Sequence, residues 1–202
     1  LAKEYGAVIQ IEANLCMGVD GDMSMINHLR LSKEEFEVLL RDSDVPTYVG
    51  LDQPNDGKNP KTFDASPCGG GWGSYTLTPD GKVIICSNAH WELGDTNVEP
   101  IASILGKCKL SEWRSITIKD VDGCGTKPEC DYCTICGGNN YSEHGVLTKP
   151  SSVNCWMAEV RYGLMQKLKN GEDTLNGLSV TDRLQQLDDN VVVEFGKEIK
   201  EH

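Results

Sequence analysis

Four of the chain's nine cysteines fall within the thirteen residues CGTKPECDYCTIC, positions 124 to 136. Cys124, Cys130, Cys133 and Cys136 are separated by five, two and two residues, and two-residue gaps let neighbouring thiolates wrap one metal centre. The total is odd, the spacing uneven, and the opening LAKEYGAVIQ has no charged-then-apolar leader pattern, so a complete disulfide framework is disfavoured. Metal-bound thiolates are the first reading.

The remaining cysteines flank this block. Cys68 and Cys86 stand in the pattern C-x12-G-x4-C, and Pro79-Asp80-Gly81 between Ser74-Tyr-Thr-Leu-Thr78 and Lys82-Val-Ile-Ile-Cys86 predicts a β-hairpin that brings the two sulfurs near one another. Eighteen residues separate Cys136 from Cys155, which falls in the first turn of a helix capped by Ser152, carrying Met157, Val160, Leu164 and Leu168 on one face and ending near Gly171. The positive end of that helix is expected to lower the Cys155 thiol pKa; the plainer reading is a small core residue. Cys108 lies in a weakly helical stretch, Pro100 to Ile116, where Trp113 is a packing candidate, and its role stays ambiguous. Seven or eight thiolates can serve two four-ligand centres. Zinc is the rival, but zinc ribbons need a second C-x2-C some 15–20 residues on, where this chain has the lone Cys155, and overlapping C-x2-C-x2-C suits iron–sulfur ligation better.

With 202 residues and 39% hydrophobic content, the chain can build one large domain or two small ones. Nineteen Lys and Arg against thirty-one Asp and Glu give −12, which repels phosphate backbones and argues against nucleic acid. No apolar run reaches 18 residues, so neither a membrane nor export is suggested, and a cytoplasmic location is expected. Ala7 to Ala13 reads as a half-buried strand, and Ser32-Lys-Glu-Glu35 as a capping box before a helix with Phe36, Leu39 and Leu40 on one face. One such βα unit cannot cover both faces of its strand. Residues 1 to about 45 therefore read as the last piece of an α/β domain whose earlier part is not in this chain; the alternative is a small α+β domain with this strand at an edge. Residues 52–65 are a polar connector, and 178–202 suggest a short helix and a Val-rich strand of unassigned role.

The C-x12-G-x4-C pair, the dense cluster ending in Cys136-Gly137-Gly138 and the further Cys155 together resemble the SPASM domain of radical S-adenosylmethionine enzymes. Ile104-Leu-Gly106 followed by Leu110-Ser-Glu-Trp-Arg-Ser115 is similar to that family's segment between hairpin and cluster, and residues 1–45, with Asp20-Gly21-Asp22 and Arg30-Leu-Ser32, to the end of the preceding barrel. The resemblance implies an α/β remnant, the end of a partial TIM-like barrel, over 1–50, a connector over 51–66, a small loop-rich α+β iron–sulfur domain with a β-hairpin over 67–170, and a C-terminal extension over 171–202. It implies two [4Fe–4S] clusters held by Cys68, Cys86, Cys124, Cys130, Cys133, Cys136 and Cys155, with Cys108 the least secure. The family's dense block is C-x2-C-x5-C-x3-C and this chain departs from it. One assignment gives Cys130, Cys133, Cys136 and Cys155 to the second cluster; in the other, Cys136 reaches back to the first and Cys124 joins the second. No cysteine triple has the C-x3-C-x2-C spacing that binds S-adenosylmethionine in this family, so that cofactor enters only through a missing N-terminal barrel half or a separate subunit. A peptide or protein substrate and a flavodoxin- or ferredoxin-type electron partner complete the expectation.

Smaller signals carry less. Asp20, Asp22 and Ser24 begin like a calcium loop, but Met25 and Leu31 stand where Gly and an acid are needed, so the loop reads as polar surface that could touch substrate. His28, His90, His144 and His202 share no metal spacing, and Cys16 reads as buried filler. Gly69-Gly-Gly-Trp72 lacks the rest of a phosphate loop, and its glycines are expected to bring backbone N–H groups to a cluster.

Overall fold

The computed structural model describes residues 5, 13–15, 22, 24–41 and 63–172. All but the last residue of the expected strand at 7–13, most of the connector 52–65, Cys16, His202 and the segment 178–202 lie outside the described residues.

The hairpin forms where the turn chemistry puts it. Strands β1 (Thr76–Leu77) and β2 (Lys82–Cys86) pair antiparallel, with Thr76 opposite Ile84 and Leu77 opposite Val83. Gly81 takes φ +92°, and a Cβ there would collide with the Asn97 amide, which donates to the Asp80 carbonyl at 2.8 Å. A third strand, β3 (Ala89–Asp95), follows at once and pairs with β2, giving the order β1-β2-β3. Its sequence AHWELGD has little strand character, which is why the pattern alone does not reveal it. The cause is tertiary: Val83, Ile84 and Ile85 are all buried, so β2 needs cover on both faces and both edges, and the two residues of β1 cannot supply it.

Helices α3 (Ile101–Leu105) and α4 (Cys108–Ser115) complete this half. Ile104, Leu110 and Trp113 are buried against Val83, Ile85, Ala89 and Leu93, and Trp91 meets the Trp113 ring edge-on at 5.8 Å. Gly71, at φ +75°, lies so close to Trp113 that a Cβ would stand 3.0 Å from the ring.

A second core joins the N-terminal helices to the C-terminal one. Helices α1 (Ser24–Leu29) and α2 (Lys33–Arg41) precede the sheet, and α6 (Ser152–Lys169) follows α5 (Gly137–His144). The capping box of α2 is reciprocal: the Glu35 N–H donates to Ser32 Oγ at 3.1 Å and the Ser32 N–H to Glu35 Oε2 at 2.8 Å. Phe36 and Leu40 are wholly buried against Met157, Leu164, Met165 and Tyr132, with Leu39, Val160 and Leu168 packed around them. Arg161, 6% exposed, donates to the Tyr132 carbonyl at 3.2 Å and lies over the Phe36 ring. The only sheet among the described residues is the three-stranded one, so they form a small α/β arrangement, and the expected end of a barrel is not seen among them.

Helix α6 begins one residue earlier than the sequence suggests. Ser151, not Ser152, is the cap, accepting from the Asn154 N–H at 3.3 Å. Ser152 is the first helical residue, and its N–H and hydroxyl both donate to the Glu143 carboxylate, at 2.7 and 2.9 Å, while the Ser151 hydroxyl donates to it at 2.8 Å. Arg30, from the turn after α1, reaches the same carboxylate at 3.4 Å. Glu143 therefore ties the end of α5, the start of α6 and the N-terminal helices at one point. No described helix is long and apolar enough to cross a membrane.

Burial pushes the Glu143 carboxyl up, but the bonds from Ser151 and Ser152 and the charge of Arg30 outweigh it and hold it below its ordinary value of 4.5. A depressed carboxyl adds stability that is complete above its unfolded pKa and is lost as pH falls through the folded value. Glu143→Gln is expected to lower stability at pH 7 by about 1–3 kcal/mol and to shrink the loss on acidification below pH 4.5, measured by urea denaturation of both proteins across that range.

Candidate metal centres

The structure divides the expected ligands into two groups. The first surrounds the start of α5. Cys86 ends β2, Cys136 is the N-cap of α5, and Cys68 precedes the glycine run that packs on Trp113. Two glycines make this convergence possible. A Cβ on Gly137 would stand 3.7 Å from Cys68 Sγ and 3.4 Å from the Trp113 ring; one on Gly138 would meet Asn88 Cβ at 2.7 Å and Cys86 Sγ at 3.1 Å.

Backbone N–H groups from two turns lie beside these sulfurs. Cys86 accepts from the N–H groups of Asn88 and Ala89 in the β2–β3 turn, and Cys136 from those of Gly138 and Asn139 in the first turn of α5. The Asn88 side-chain amide adds a donor 3.9 Å from Cys136 Sγ. The Gly69–Gly71 run works differently. The Gly71 N–H is used by the Ser74 carbonyl at 3.1 Å, and the carbonyls of Gly70 and Gly71 accept from Trp113 Nε1 at 2.9 Å and Arg114 Nε at 2.8 Å. Those glycines anchor the segment carrying Cys68 to α4.

The second group lines a cavity of about 140 Å³ between the 3-10 turn Pro128–Tyr132 and α6. Its walls include Cys124, Cys130, Cys133 and Cys155, with Ile135, Pro150 and Ala158 as apolar lining and Asp122, Lys127, Glu129 and Glu159 about the rim. Cys124 enters on the turn closed by Cys124 N–H to Val121 carbonyl, and Cys130 and Cys133 face inward from the two ends of a turn closed by the Cys133 N–H on the Cys130 carbonyl. Cys136 thus stands with Cys68 and Cys86, and Cys124 with Cys130, Cys133 and Cys155.

Burial is the leading influence on these thiols. It pushes Cys86, Cys136 and Cys155 above their ordinary value, with Cys136 and Cys68 adding to the effect on Cys86, and Cys130 and Glu159 to that on Cys155. The expected lowering of Cys155 by the start of α6 is therefore not found: Cys155 is the fourth helical residue, its own N–H already bonds the Ser151 carbonyl, and burial, followed by Cys130 and Glu159, pushes the thiol up. Thiols in this state become ligands when a metal displaces their protons.

Does an inorganic cluster fit these donors? A lone zinc ion binds sulfur at roughly 2.3 Å and draws four ligands onto one point. Among the described residues no three His, Cys, Asp or Glu side chains are gathered to hold a single ion. Four cysteines instead stand around a space of about 140 Å³, several times the roughly 30 Å³ share of one water. All four cysteine donors are sulfur, a set that iron–sulfur clusters share with four-cysteine zinc sites, so it is the size of the space rather than the donor type that favours a cluster.

Cys108 is brought to neither group. It is exposed at the first position of α4, beside Lys82, Glu92 and Lys109 in a shallow surface groove. His144 bonds the Pro150 carbonyl at 3.1 Å and His28 is exposed on α1. Asp22 accepts from both the N–H and hydroxyl of Ser24 at 2.8 Å, an N-terminal cap for α1. Sequence reasoning missed Asn88, Asn139 and Asn154, which hold the sulfur-bearing segments together. The available signal was Asn139-Asn140, polar residues opening a helix directly after Cys136-Gly-Gly and yet buried.

Residues 68–137 match the family model of SPASM, an iron-sulfur cluster-binding domain. That stretch holds every cysteine of the two groups except Cys155 and spans the hairpin, α3, α4 and the dense block. Over these residues the chain is thus similar to an iron–sulfur cluster-binding domain. No curated protein and no solved structure matches the chain.

Because a methyl group at position 138 would strike Asn88 and Cys86, Gly138→Ala is expected to lose iron from the first group while sparing the second; iron, sulfide and electron paramagnetic resonance spectra before and after substitution check this. Cys108→Ser is expected to leave all three unchanged.

Proposed function

We propose that this chain is the C-terminal part of a radical SAM/SPASM enzyme that holds two auxiliary [4Fe–4S] clusters and serves the oxidative radical modification of a peptide or protein substrate. The observation that carries the reading is the cavity whose walls include Cys124, Cys130, Cys133 and Cys155, the first three of them inside the stretch similar to an iron–sulfur cluster-binding domain. In this reading the second cluster takes those four cysteines and the first takes Cys68, Cys86 and Cys136. Clusters bound there would supply one-electron exchange or a binding point for substrate.

What the chain's own residues do can be stated separately. Ile135, Pro150 and Ala158 give the second group an apolar wall, and the lower polarity on that side strengthens charge interactions there. The N–H groups of Asn88, Ala89, Gly138 and Asn139 stabilise negative charge on Cys86 and Cys136. Within 202 residues there is no C-x3-C-x2-C loop, so cleavage of S-adenosylmethionine falls to residues or a subunit beyond them. A flavodoxin- or ferredoxin-type partner and a cytoplasmic setting belong to the same proposal.

Anaerobically purified protein is expected to contain about eight irons and as many sulfides per chain. Zinc without sulfide would defeat the reading in favour of a zinc-stabilised module. Cys133→Ala is expected to lose about half the iron and to destabilise the region between 122 and 136, which has little other core. Equal iron content in wild type and Cys133→Ala would remove Cys133 from the ligand set. A C-x3-C-x2-C loop encoded upstream of Leu1 would assign the S-adenosylmethionine chemistry to the same polypeptide.

A further inference from the structure

A chain of side-chain amides runs from one cysteine group to the other. Asn88 Nδ2, 3.9 Å from Cys136 Sγ, also donates to Asn139 Oδ1 at 3.2 Å. Asn139 Nδ2 donates to Asn154 Oδ1 at 3.0 Å, and Asn154 Nδ2 to the Thr134 carbonyl at 2.8 Å. Thr134 is the neighbour of Cys133, whose sulfur lies 3.8 Å from the Asn154 carbonyl. Asn139 is 2% exposed and Asn154 is 7% exposed. Both sit on helix faces where an apolar residue of similar volume would bury more cheaply, because a polar network in the interior is favourable only when every member is satisfied. Here the members are satisfied by one another.

The arrangement has a direction. Each NH₂ faces the next oxygen, so the amide dipoles lie head to tail from Asn88 to Thr134 and polarise one another. Asparagine has no titratable proton, so this chain carries polarisation and stores no charge. Only Asn88 offers its side chain to a sulfur; Asn139 and Asn154 act behind it, fixing which way its NH₂ points.

We propose that Asn88 sets the reduction potential of the first centre through its bond to Cys136, and that Asn139 and Asn154 are positioning residues that anchor this donor to the backbone of the second centre. The proposal rests on the two-cluster reading above. A donor at a ligand sulfur stabilises the more negative, reduced state and so raises the potential. Locking that donor in one orientation keeps the effect constant. The strand–helix half of the domain thereby tunes its centre with a group held by the loop–helix half.

The test is a redox titration followed by electron paramagnetic resonance on the full chain, loaded anaerobically with iron and sulfide, with metal and sulfide counted in each sample. Asn88→Ala is expected to lower the midpoint potential of the first centre and leave the second in place. Asn139→Ala keeps the backbone N–H that bonds Cys136, yet is expected to lower the same potential by a smaller amount. The Asn88→Ala/Asn139→Ala double variant is expected to match Asn88→Ala alone, since Asn139 acts through Asn88; two purely structural lesions would instead add. Unchanged potentials with full iron content, or additive shifts, overturn the relay while the two-cluster reading stands. If Asn139→Ala fails to load, Asn88→Ala decides, because that residue sits on a partly exposed turn. A wild-type chain holding no first centre overturns both readings.

Discussion

Sulfur gathered into a half-buried interior is the constraint on which this domain is built. Burial pushes Cys86, Cys136 and Cys155 away from ionisation, and the residues beside them are arranged around that sulfur. Around Cys86 and Cys136 that arrangement takes the form of N–H groups from a strand turn and a helix start. Around Cys124, Cys130, Cys133 and Cys155 it takes the form of a partly open space of about 140 Å³. Turns and helices supply its walls.

Each group leans on a different core. The first sits against Trp113, Ile85 and Leu147, within the sheet and its two short helices. The second sits against α6, whose far face buries Phe36 and Leu40 of α2. Helix α5 bridges the two, entering through glycines beside the first group and leaving through Glu143 at the start of α6. A short helix with a polar interior can make this bridge because Asn139 and Asn140 meet partners on both sides, Asn140 donating to the Leu147 carbonyl and accepting from the Ser151 N–H.

Local chemistry made much of this legible in sequence. Pro79-Asp80-Gly81 specified the hairpin, Ser32 and Glu35 specified the start of α2, and cysteine spacing specified a metal-binding domain, each through contacts a few residues apart. What sequence did not disclose depends on distant partners. Strand β3 exists because β2 is buried on both faces, and the pairing of Cys136 with Cys68 and Cys86 follows from the path of α5 across the hairpin. The helix-start effect assigned to Cys155 was the right physics at the wrong place: α5, opened by Cys136, presents its free N–H groups to sulfur. Asn88 and Asn154 could not be singled out, since an asparagine in a turn and one in a helix carry no mark of their common neighbour.

The tryptophans divide between the two halves in a way that makes the domain its own optical probe. Trp91 and Trp113 belong to the core beside Cys68 and Cys86, whereas Trp156 follows Cys155 directly and stacks edge-on with Phe36. An iron–sulfur chromophore absorbs where indole emits, so under the two-cluster proposal loading of the thiols would dim these rings, and their fluorescence would report assembly without an added label.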